Sequence, residues 1–388
     1  MTDTPPRGFT TEEYERRVER LQRGMAAAGI DALLVTTEPD VRYVTGFDTR
    51  FWLSPTRPWF LLVPAEGGPI AVIPEIGAAA MGRTWIDDIR TWPAPVPADD
   101  GVTLLASAIR ELVGDRGRMG VPMGPETHLR MPLGDWDRLR AALPEVRVVD
   151  ATPTIAAVRM IKSPAEVAKI RHICRLAGDT FDTLPELASA GRLLVEVFRA
   201  FHVDLLRRGA DDVPYLVGGA GPGGYADVLS PPTEQPLRDG DVLMLDTGAL
   251  YDGYYCDFDR NVAISHADDD AKRAYTTLHR ATDTALATVR PGVRCDELFA
   301  VMQRVIEDDG WQGGEVGRFG HGLGTQLTEW PSHTATDTTL VQEGMVLTIE
   351  PSLMIAPGRT MVHEEDLVVH ADGAELLTRR APAELPIV

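Results

Sequence analysis

The segment Leu245–Val262 has the sequence LDTGALYDGYYCDFDRNV and carries Asp246, Asp257 and Asp259 in an apolar, strand-like ribbon. Its Asp252–Gly253 pair lies between two apolar runs, which is a strong signal for a hairpin with a two-residue turn. Such a turn pairs Asp246 with Asp259 and places Asp257 diagonally from Asp246 on the same sheet face. Carboxylates this close repel one another unless a cation lies among them. The segment therefore predicts a metal site, with a solvated sheet face paired to basic residues as the alternative.

Further side chains that suit a divalent cation follow downstream. The motif FGHGLG places His321 among glycines, TIEP ends a strand with Glu350, and HEED offers Glu364 and Glu365 on opposite faces of a strand. A lone histidine or glutamate usually has a structural or solvated role, but such roles do not readily explain the whole set. Two aspartates, one histidine and two glutamates suit two adjacent divalent ions such as manganese, iron or cobalt. Zinc is an alternative, and the imidazole makes magnesium less favoured.

Composition limits the kinds of partner. The 388 residues are 44% hydrophobic and 25% charged, which describes a globular protein too long for one compact core. The formal net charge of -20 disfavours nucleic acid and anionic membrane surfaces. The three widely spaced cysteines suggest reduced thiols, and no segment resembles a signal peptide or approaches the roughly 20 apolar residues of a membrane span. We therefore expect a cytoplasmic protein whose partners are small peptides, other small molecules or a second copy of itself.

The motifs together resemble a known family. D-x-G, D-x-x-R eleven residues after the first Asp, GHGLG, EGMVLTIEP and HEED are similar to the motifs of the pita-bread metallohydrolases. That family includes methionine aminopeptidase, aminopeptidase P, prolidase and the metal-free creatinase, and the segment IKSPAEVAKIR resembles the creatinase and aminopeptidase P branch. The resemblance implies an N-terminal creatinase-like α/β domain, residues 1–151. A C-terminal pita-bread α+β domain with a curved, mainly antiparallel sheet, residues 152–388, would follow it.

The resemblance also implies a dinuclear metal site of five ligands. By the family pattern these are Asp246, Asp257, His321, Glu350 and Glu365. Asp257 and Glu365 would bridge two divalent ions, with manganese preferred, and Glu364 would face away. Glu350 would also accept the proton of a metal-activated water. Asp259 remains as a neighbouring acid and an alternative base.

Several positions depart from the family pattern. Thr328, seven residues after the metal-binding histidine, and Leu229 stand where peptide-cleaving relatives carry histidines. Asp259 stands where proline-specific relatives carry threonine or serine, and His363 stands where an arginine is common. A shift in loop alignment would bring His333 into a catalytic role. We therefore expect an intact metal site beside altered substrate contacts, to which Thr328 and His363 contribute.

The loop DTRFWLSPTRPW, residues 48–59, combines arginine and aromatic side chains in a strongly acidic protein. Such clusters are typical of interfaces and ligand anchors. In the resembling branch the N-terminal domain of one subunit often borders the active site of its partner. We therefore expect a homodimer in which Arg50 or Trp52 contacts substrate in the partner's site. The alternative is that Trp52 and Trp59 pack inside their own domain.

Three functions are compatible with these observations. The first is a metal-dependent aminopeptidase or dipeptidase acting on Xaa-Pro peptides. The second is a small-molecule enzyme on the same scaffold, either a hydrolase of a cyclic or amidine C–N bond or a lyase similar to the dimethylsulfoniopropionate-cleaving relatives. Thr328, Leu229 and Asp259 favour the second. The third, a non-catalytic binding protein, is disfavoured because all five ligand types are retained.

Overall fold

The computed structural model describes residues 4–55, 57–313 and 317–388. The chain divides into two compact units, the first formed by Pro6–Arg159 and the second containing Met160–Val388. The helix Thr152–Arg159 packs Ile155 and Val158 into the core of the first unit. The predicted domain boundary, between residues 151 and 152, lies at the start of this helix.

The first unit is a six-stranded mixed sheet with helices. Its helices are α1 Thr11–Ala28, α2 Glu38–Thr45, α3 Ala78–Met81, α4 Val102–Val113, α5 Leu133–Ala142 and α6 Thr152–Arg159. Its strands are β1 Ala32–Val35, β2 Phe60–Pro64, β3 Ile70–Pro74, β4 Asp88–Trp92, β5 Arg118–Val121 and β6 Arg147–Asp150. The strand order is β4-β3-β2-β1-β5-β6, with β2 antiparallel to both of its neighbours and the other pairs parallel.

The second unit is rich in antiparallel strands. Its helices are α7 Pro164–Phe181, α8 Leu184–Leu187, α9 Leu194–Arg208, α10 Asp269–Thr288 and α11 Cys295–Asp308. Its first strands are β7 Asp212–Pro222, β8 Asp241–Tyr251, β9 Tyr254–Tyr255, β10 Phe258–Ala263, β11 Gln312–Gly313 and β12 His321–Gly322. The remaining strands are β13 Glu329–Ser332, β14 Val346–Ile349, β15 Ser352–Ala356, β16 Arg359–Val362, β17 Glu365–His370 and β18 Gly373–Leu376.

These strands form three sheets. One has the order β10-β8-β7 with β9 paired to β8, the second has the order β11-β15-β16, and the third has the order β13-β12-β14-β17-β18. The strand pairs within these sheets are antiparallel. An α/β first unit followed by a unit of antiparallel sheets and helices is the predicted fold class, which is therefore confirmed.

The hairpin has the predicted register. Tyr251 pairs with Tyr254, and Asp246 pairs with Asp259. The turn residues Asp252 and Gly253 both have positive φ, 49° and 80°, which is the backbone of the tight turns that match strand twist. The local Asp-Gly signal thus places two of the acids directly across from each other.

Helices cover one face of the third sheet. Leu347 and Ile349 of β14 join Leu367 and Val369 of β17 in the core that includes residues of α10 and α11. Because side chains of a strand alternate between faces, their neighbours in sequence point away from this core. That alternation leaves the opposite face for polar side chains. Among the helices that the structure describes, none combines the length and hydrophobicity of a membrane span.

Candidate metal centre

A cavity of about 250 Å³ lies in the second unit and is lined mainly by strand ends and loops. Its acidic and imidazole-bearing residues are Asp246, Asp257, Asp259, His321, Glu350 and Glu364. Its other residues are Tyr215, Val228, Leu229, Met244, Arg318, Leu327, Thr328 and Val362. The cavity therefore joins a carboxylate-rich group to an apolar wall and to a cationic side chain.

Three of these residues form the tightest cluster. One potential ligand atom each from Asp257, His321 and Glu364 lies within 4.8 Å of the others, and all three side chains are buried. His321 Nε2 is 3.4 Å from Asp257 Oδ2, whereas Nδ1 is 2.9 Å from the carbonyl oxygen of Gly322. A carbonyl only accepts, so Nδ1 carries the proton and donates. The Nε2 lone pair then faces the acids, as a metal ligand requires.

The ionisation of the cluster fits a bound cation. Burial raises the pKa of Asp246 to about 7, and burial together with the Asp246 charge raises the pKa of Glu350 to about 8. Burial and the neighbouring carboxylates raise the pKa values of Asp257 and Glu364 well above their usual range. Burial lowers the pKa of His321 to about 3, which keeps its ring neutral. Without a cation, a buried group of this composition resists ionisation.

Carboxylate oxygen atoms without a hydrogen-bond partner give a second test of whether these residues fit a bound metal ion. Within the described residues, Asp246 Oδ1 and Glu364 Oε1 are buried and accept no hydrogen bond. A buried carboxylate oxygen without a partner is costly unless something else satisfies it. Hard oxygen donors beside a neutral imidazole suit a transition-metal dication. The residues present therefore fit the divalent ions that the sequence predicts.

Glu364, and not Glu365, faces this cavity. The prediction that Glu364 faces away is wrong, and the reason is strand alternation. Glu365 shares a face with Leu367 and Val369, which lie in the core, so the preceding residue must point to the opposite face. Continuing the β14–β17 register by one pair also places Glu350 across from Glu364.

Glu365 instead anchors the other side of the sheet. Its carboxylate accepts hydrogen bonds from the Arg260 and Arg380 guanidinium groups, each at 3.0 Å, from the Ala381 amide at 2.9 Å and from the Thr378 hydroxyl. Burial opposes its ionisation, but the charge of Arg260, the neighbouring His363 and the hydrogen bonds from Thr378 and Ala381 lower the pKa to about 2. Its charge is thus already paired within the protein.

Asp259 lines the cavity but uses both oxygens in hydrogen bonds. Its Oδ1 accepts from the backbone amide of Glu364 at 2.7 Å, and its Oδ2 accepts from Asn261 Nδ2 at 3.1 Å. The residue is buried, which raises the pKa of its carboxyl well above the usual range. It therefore contacts the backbone of a candidate ligand, an arrangement that sequence spacing did not suggest.

The other residues of the second unit that the sequence singled out separate into two groups. Thr328 lines the cavity and accepts a hydrogen bond from Arg318 Nη2 at 3.1 Å, and Leu229 lies at the cavity with 72% of its surface exposed. His333 and His363 are buried and are not among the lining residues. Burial lowers the pKa of His333 to about 4 and that of His363 to about 3.

The surroundings of the two histidines explain why neither ring lines the cavity. Neither ring nitrogen of His333 has a hydrogen-bond partner among the described residues. The His363 ring contacts Tyr275 and His279, at centroid distances of 5.7 Å, and its Nε2 contacts Arg380 on the Glu365 side of the sheet. Strand alternation gives His363 the same face as Glu365.

Two polar residues of the cavity were not anticipated from the sequence. Tyr215 lies near enough to Asp246 to oppose the rise of its pKa, and Arg318 likewise opposes the raised pKa values of Asp257 and Glu350. Tyr215 comes from β7, whose pairing with β8 is a long-range contact. Arg318 lies three residues before His321, a spacing that carries no general signal for a site.

The aromatic loop of the first unit has a buried centre. Trp52 packs against Phe47 and Trp59, with ring centroids 6.2 and 6.0 Å apart, and the Arg130 guanidinium lies 5.2 Å from its ring. Both tryptophans belong to the core of this unit. Arg50, in contrast, is exposed. This packing agrees with the alternative interpretation of the two tryptophans.

Comparison with known proteins finds similarity over the length of the chain. Residues 168–372 match metallopeptidase family M24, and residues 17–161 match the creatinase/prolidase N-terminal domain. The crystal structure of dipeptidase PepE from Mycobacterium ulcerans is 30% identical, covers 98% of this chain and 99% of its own, and superposes with a TM-score of 0.85. That of a prolidase from Thermococcus sibiricus is 25% identical, covers 98% and 100%, and has a TM-score of 0.87. The probable dipeptidase PepE of Mycobacterium tuberculosis is 28% identical over 98% of each chain.

Proposed function

This chain belongs to metallopeptidase family M24 and carries a creatinase/prolidase N-terminal domain, and from that premise we propose that it is a dinuclear metal-dependent dipeptidase. Dipeptides of the Xaa-Pro type are the proposed substrates. The observation that carries this proposal is the cavity itself, which brings five hard ligands together in about 250 Å³. That volume lies below the range of about 300–1,000 Å³ that is common for drug-sized ligands, so it favours a short substrate.

The proposed ligands are the cavity residues with suitable donor atoms. They are Asp246, Asp257, His321, Glu350 and Glu364, with Glu364 in the place that the sequence prediction gave to Glu365. Manganese is the proposed metal, with iron, cobalt or zinc as alternatives. When bound, two divalent ions supply an activated water and stabilise the charge that develops on the attacked carbonyl oxygen.

Glu350 is the proposed proton carrier. Its carboxylate faces the cavity and would accept a proton from the attacking water, then return it to the nitrogen of the leaving amino acid. The apolar wall that includes Val228 and Leu327 would exclude water from the bound side chain. Leu327 packs closely against Gly248, because a Cβ at Gly248 would lie 2.3 Å from Leu327 Cδ1.

Arg318 and Thr328 are the proposed contacts of the substrate carboxylate. Among the described residues that line the cavity, Arg318 alone has a permanently cationic side chain. Its hydrogen bond to Thr328 orients the guanidinium along the cavity wall. A planar guanidinium matches a carboxylate in shape and charge. The pair would therefore favour a dipeptide with a free C-terminus over a longer or amidated peptide.

Hydrolysis of Ala-Pro and of its C-terminal amide by the manganese-loaded protein tests this function. We expect proline release from Ala-Pro and a rate about 10- to 100-fold lower for the amide, because the amide loses a charge-assisted hydrogen bond. Arg318→Met should slow Ala-Pro hydrolysis by a similar factor and leave the amide nearly unaffected. Arg273→Met, at an exposed arginine outside the cavity, is the matched control. Absence of proline release from every dipeptide tested would refute the proposal.

A second candidate is an enzyme acting on a non-peptide C–N bond or a lyase on the same scaffold. It is favoured because Leu229 and Thr328, which replace the family histidines, both line the cavity. Cyclic amidines and dimethylsulfoniopropionate, offered to the same manganese-loaded protein, distinguish this candidate. Turnover of one of these compounds without dipeptide hydrolysis would select it.

A further inference from the structure

Two of the proposed ligands occupy equivalent positions relative to strands. Asp257 immediately precedes β10, and Glu364 immediately precedes β17. Each backbone amide therefore lies just outside the residues paired in the ladder of its strand. A buried amide in such a place needs another acceptor. How these amides are satisfied decides how firmly the two carboxylates are held.

Each amide is satisfied by an aspartate from the other strand. The Glu364 amide donates to Asp259 Oδ1 at 2.7 Å, and the Asp257 amide donates to Asp366 Oδ2 at 3.0 Å. Asp259 lies two residues after Asp257, and Asp366 lies two residues after Glu364. The contacts are thus reciprocal, because each segment supplies one cavity-facing carboxylate and one acceptor for the opposite amide.

Both acceptors are themselves fixed by buried partners. Asp259 Oδ2 accepts from Asn261 Nδ2, which also donates to the Val362 carbonyl at 2.8 Å. The Tyr225 hydroxyl donates to Asn261 Oδ1 at 3.0 Å and accepts from the Val362 amide at 2.7 Å. This network leaves the Asp259 side chain little freedom to rotate.

The second acceptor has a different support. The Cys174 thiol of α7 donates to Asp366 Oδ2 at 3.3 Å, the same oxygen that receives the Asp257 amide. Asp366 and Asp259 are both almost fully buried. Placing these two acids beside the four proposed carboxylate ligands is unfavourable unless they have a specific task.

We propose that Asp259 and Asp366 are positioning residues that hold Glu364 and Asp257, through their backbone amides, in the geometry that binds metal. This assigns Asp259 to support of a ligand and not to proton transfer. The inference rests on the ligand set proposed above. Partners that orient metal ligands affect metal affinity by about 10- to 100-fold when they are removed.

Manganese affinity of the metal-stripped protein, measured by isothermal titration calorimetry, tests the inference without reference to turnover. Asp259→Ala should lower the affinity by about 10- to 100-fold. Asp259→Asn should recover part of that loss, because its amide oxygen still accepts from the Glu364 amide, whereas its Nδ2 cannot accept from Asn261 Nδ2. Asp366→Ala removes the other contact and provides an independent variant if Asp259→Ala does not fold.

The matched control is Asp241→Ala. Asp241 is equally buried, lies in β8 and also accepts a backbone amide, that of Arg238 at 2.9 Å, but it does not line the cavity. Its loss should leave manganese affinity unchanged. Parent-like affinity in Asp259→Ala and Asp366→Ala would overturn the inference, as would an equal loss in Asp241→Ala or no recovery in Asp259→Asn. If the parent protein binds no manganese, the proposed metal centre fails and the inference fails with it.

Discussion

Glu350 has a carboxylate that faces the cavity from the residue directly after β14. Its neighbours there are acids, and burial with the Asp246 charge makes its ionisation unfavourable in the absence of a cation. A carboxylate in this position can serve both as a ligand and as an acceptor for a proton from water. The two roles can be separated, because a glutamine retains one ligand oxygen but cannot accept the proton.

Glu350→Gln should leave the fold intact and lower turnover by about 100-fold or more, the range for removal of a general base. Peptide hydrolysis at saturating metal, with circular dichroism as the check on folding, measures this. Glu343→Gln is the control, because Glu343 is exposed and lies seven residues earlier in the same segment. Activity close to that of the parent would show that another base carries the reaction.

Residue type and local motif predict much of the site. The close-approach glycine before His321 is one such signal, because Gly320 has a φ of 128° and a Cβ there would lie 2.2 Å from the Thr348 carbonyl oxygen. Arg318 and Tyr215 could not be predicted, since a long-range strand pairing or an uninformative spacing brings them to the cavity. The expected role of His333 rested on a shift in loop alignment, and that of His363 on its place where the family commonly has an arginine. The structure places both rings in buried surroundings away from the lining residues.

At the scale of elements, local turn chemistry was more informative than motif alignment. The Asp252–Gly253 pair fixed the hairpin register, because such a turn determines every cross-strand partner. The HEED motif correctly indicated that Glu364 and Glu365 lie on opposite faces, but the choice between them needed the pattern of the whole strand. Leu367 and Val369 identify the core face of β17, and with it the face of Glu365. An error of one residue in the alignment of this strand exchanges the face toward the core and the face toward the cavity.

The 3-10 helix Arg50–Leu53 provides an element-scale prediction. Trp52 is buried in it, whereas Leu53 is 83% exposed. Trp52→Ala should lower the free energy of unfolding by about 3 kcal/mol, the lower end of the range for truncating a buried tryptophan. Leu53→Ala, the adjacent control, should have little effect. Urea unfolding followed by fluorescence measures both. Unchanged stability together with weaker substrate binding in Trp52→Ala would instead support the original expectation of a substrate contact.

The whole molecule combines two units, and the candidate metal centre lies in the second of them. The match of both units to known domains confirms the predicted resemblance and its fold. Composition and chain length predicted more than one unit, because a single core cannot serve a chain of this size. The homodimer, and a role for Arg50 at a partner's site, stay predictions. Sequence could not decide them, since the surfaces involved carry no local signal comparable to the Asp-Gly turn.

The metal content of the folded protein tests the central claim most directly. After manganese loading and dialysis, elemental analysis should find two ions per chain in the parent protein and in Glu365→Gln, whose altered side chain faces the core. Glu364→Gln should retain clearly less metal, because Glu364 lies in the tightest cluster with Asp257 and His321. A parent protein without bound metal would contradict the account, and so would metal loss in Glu365→Gln with full retention in Glu364→Gln.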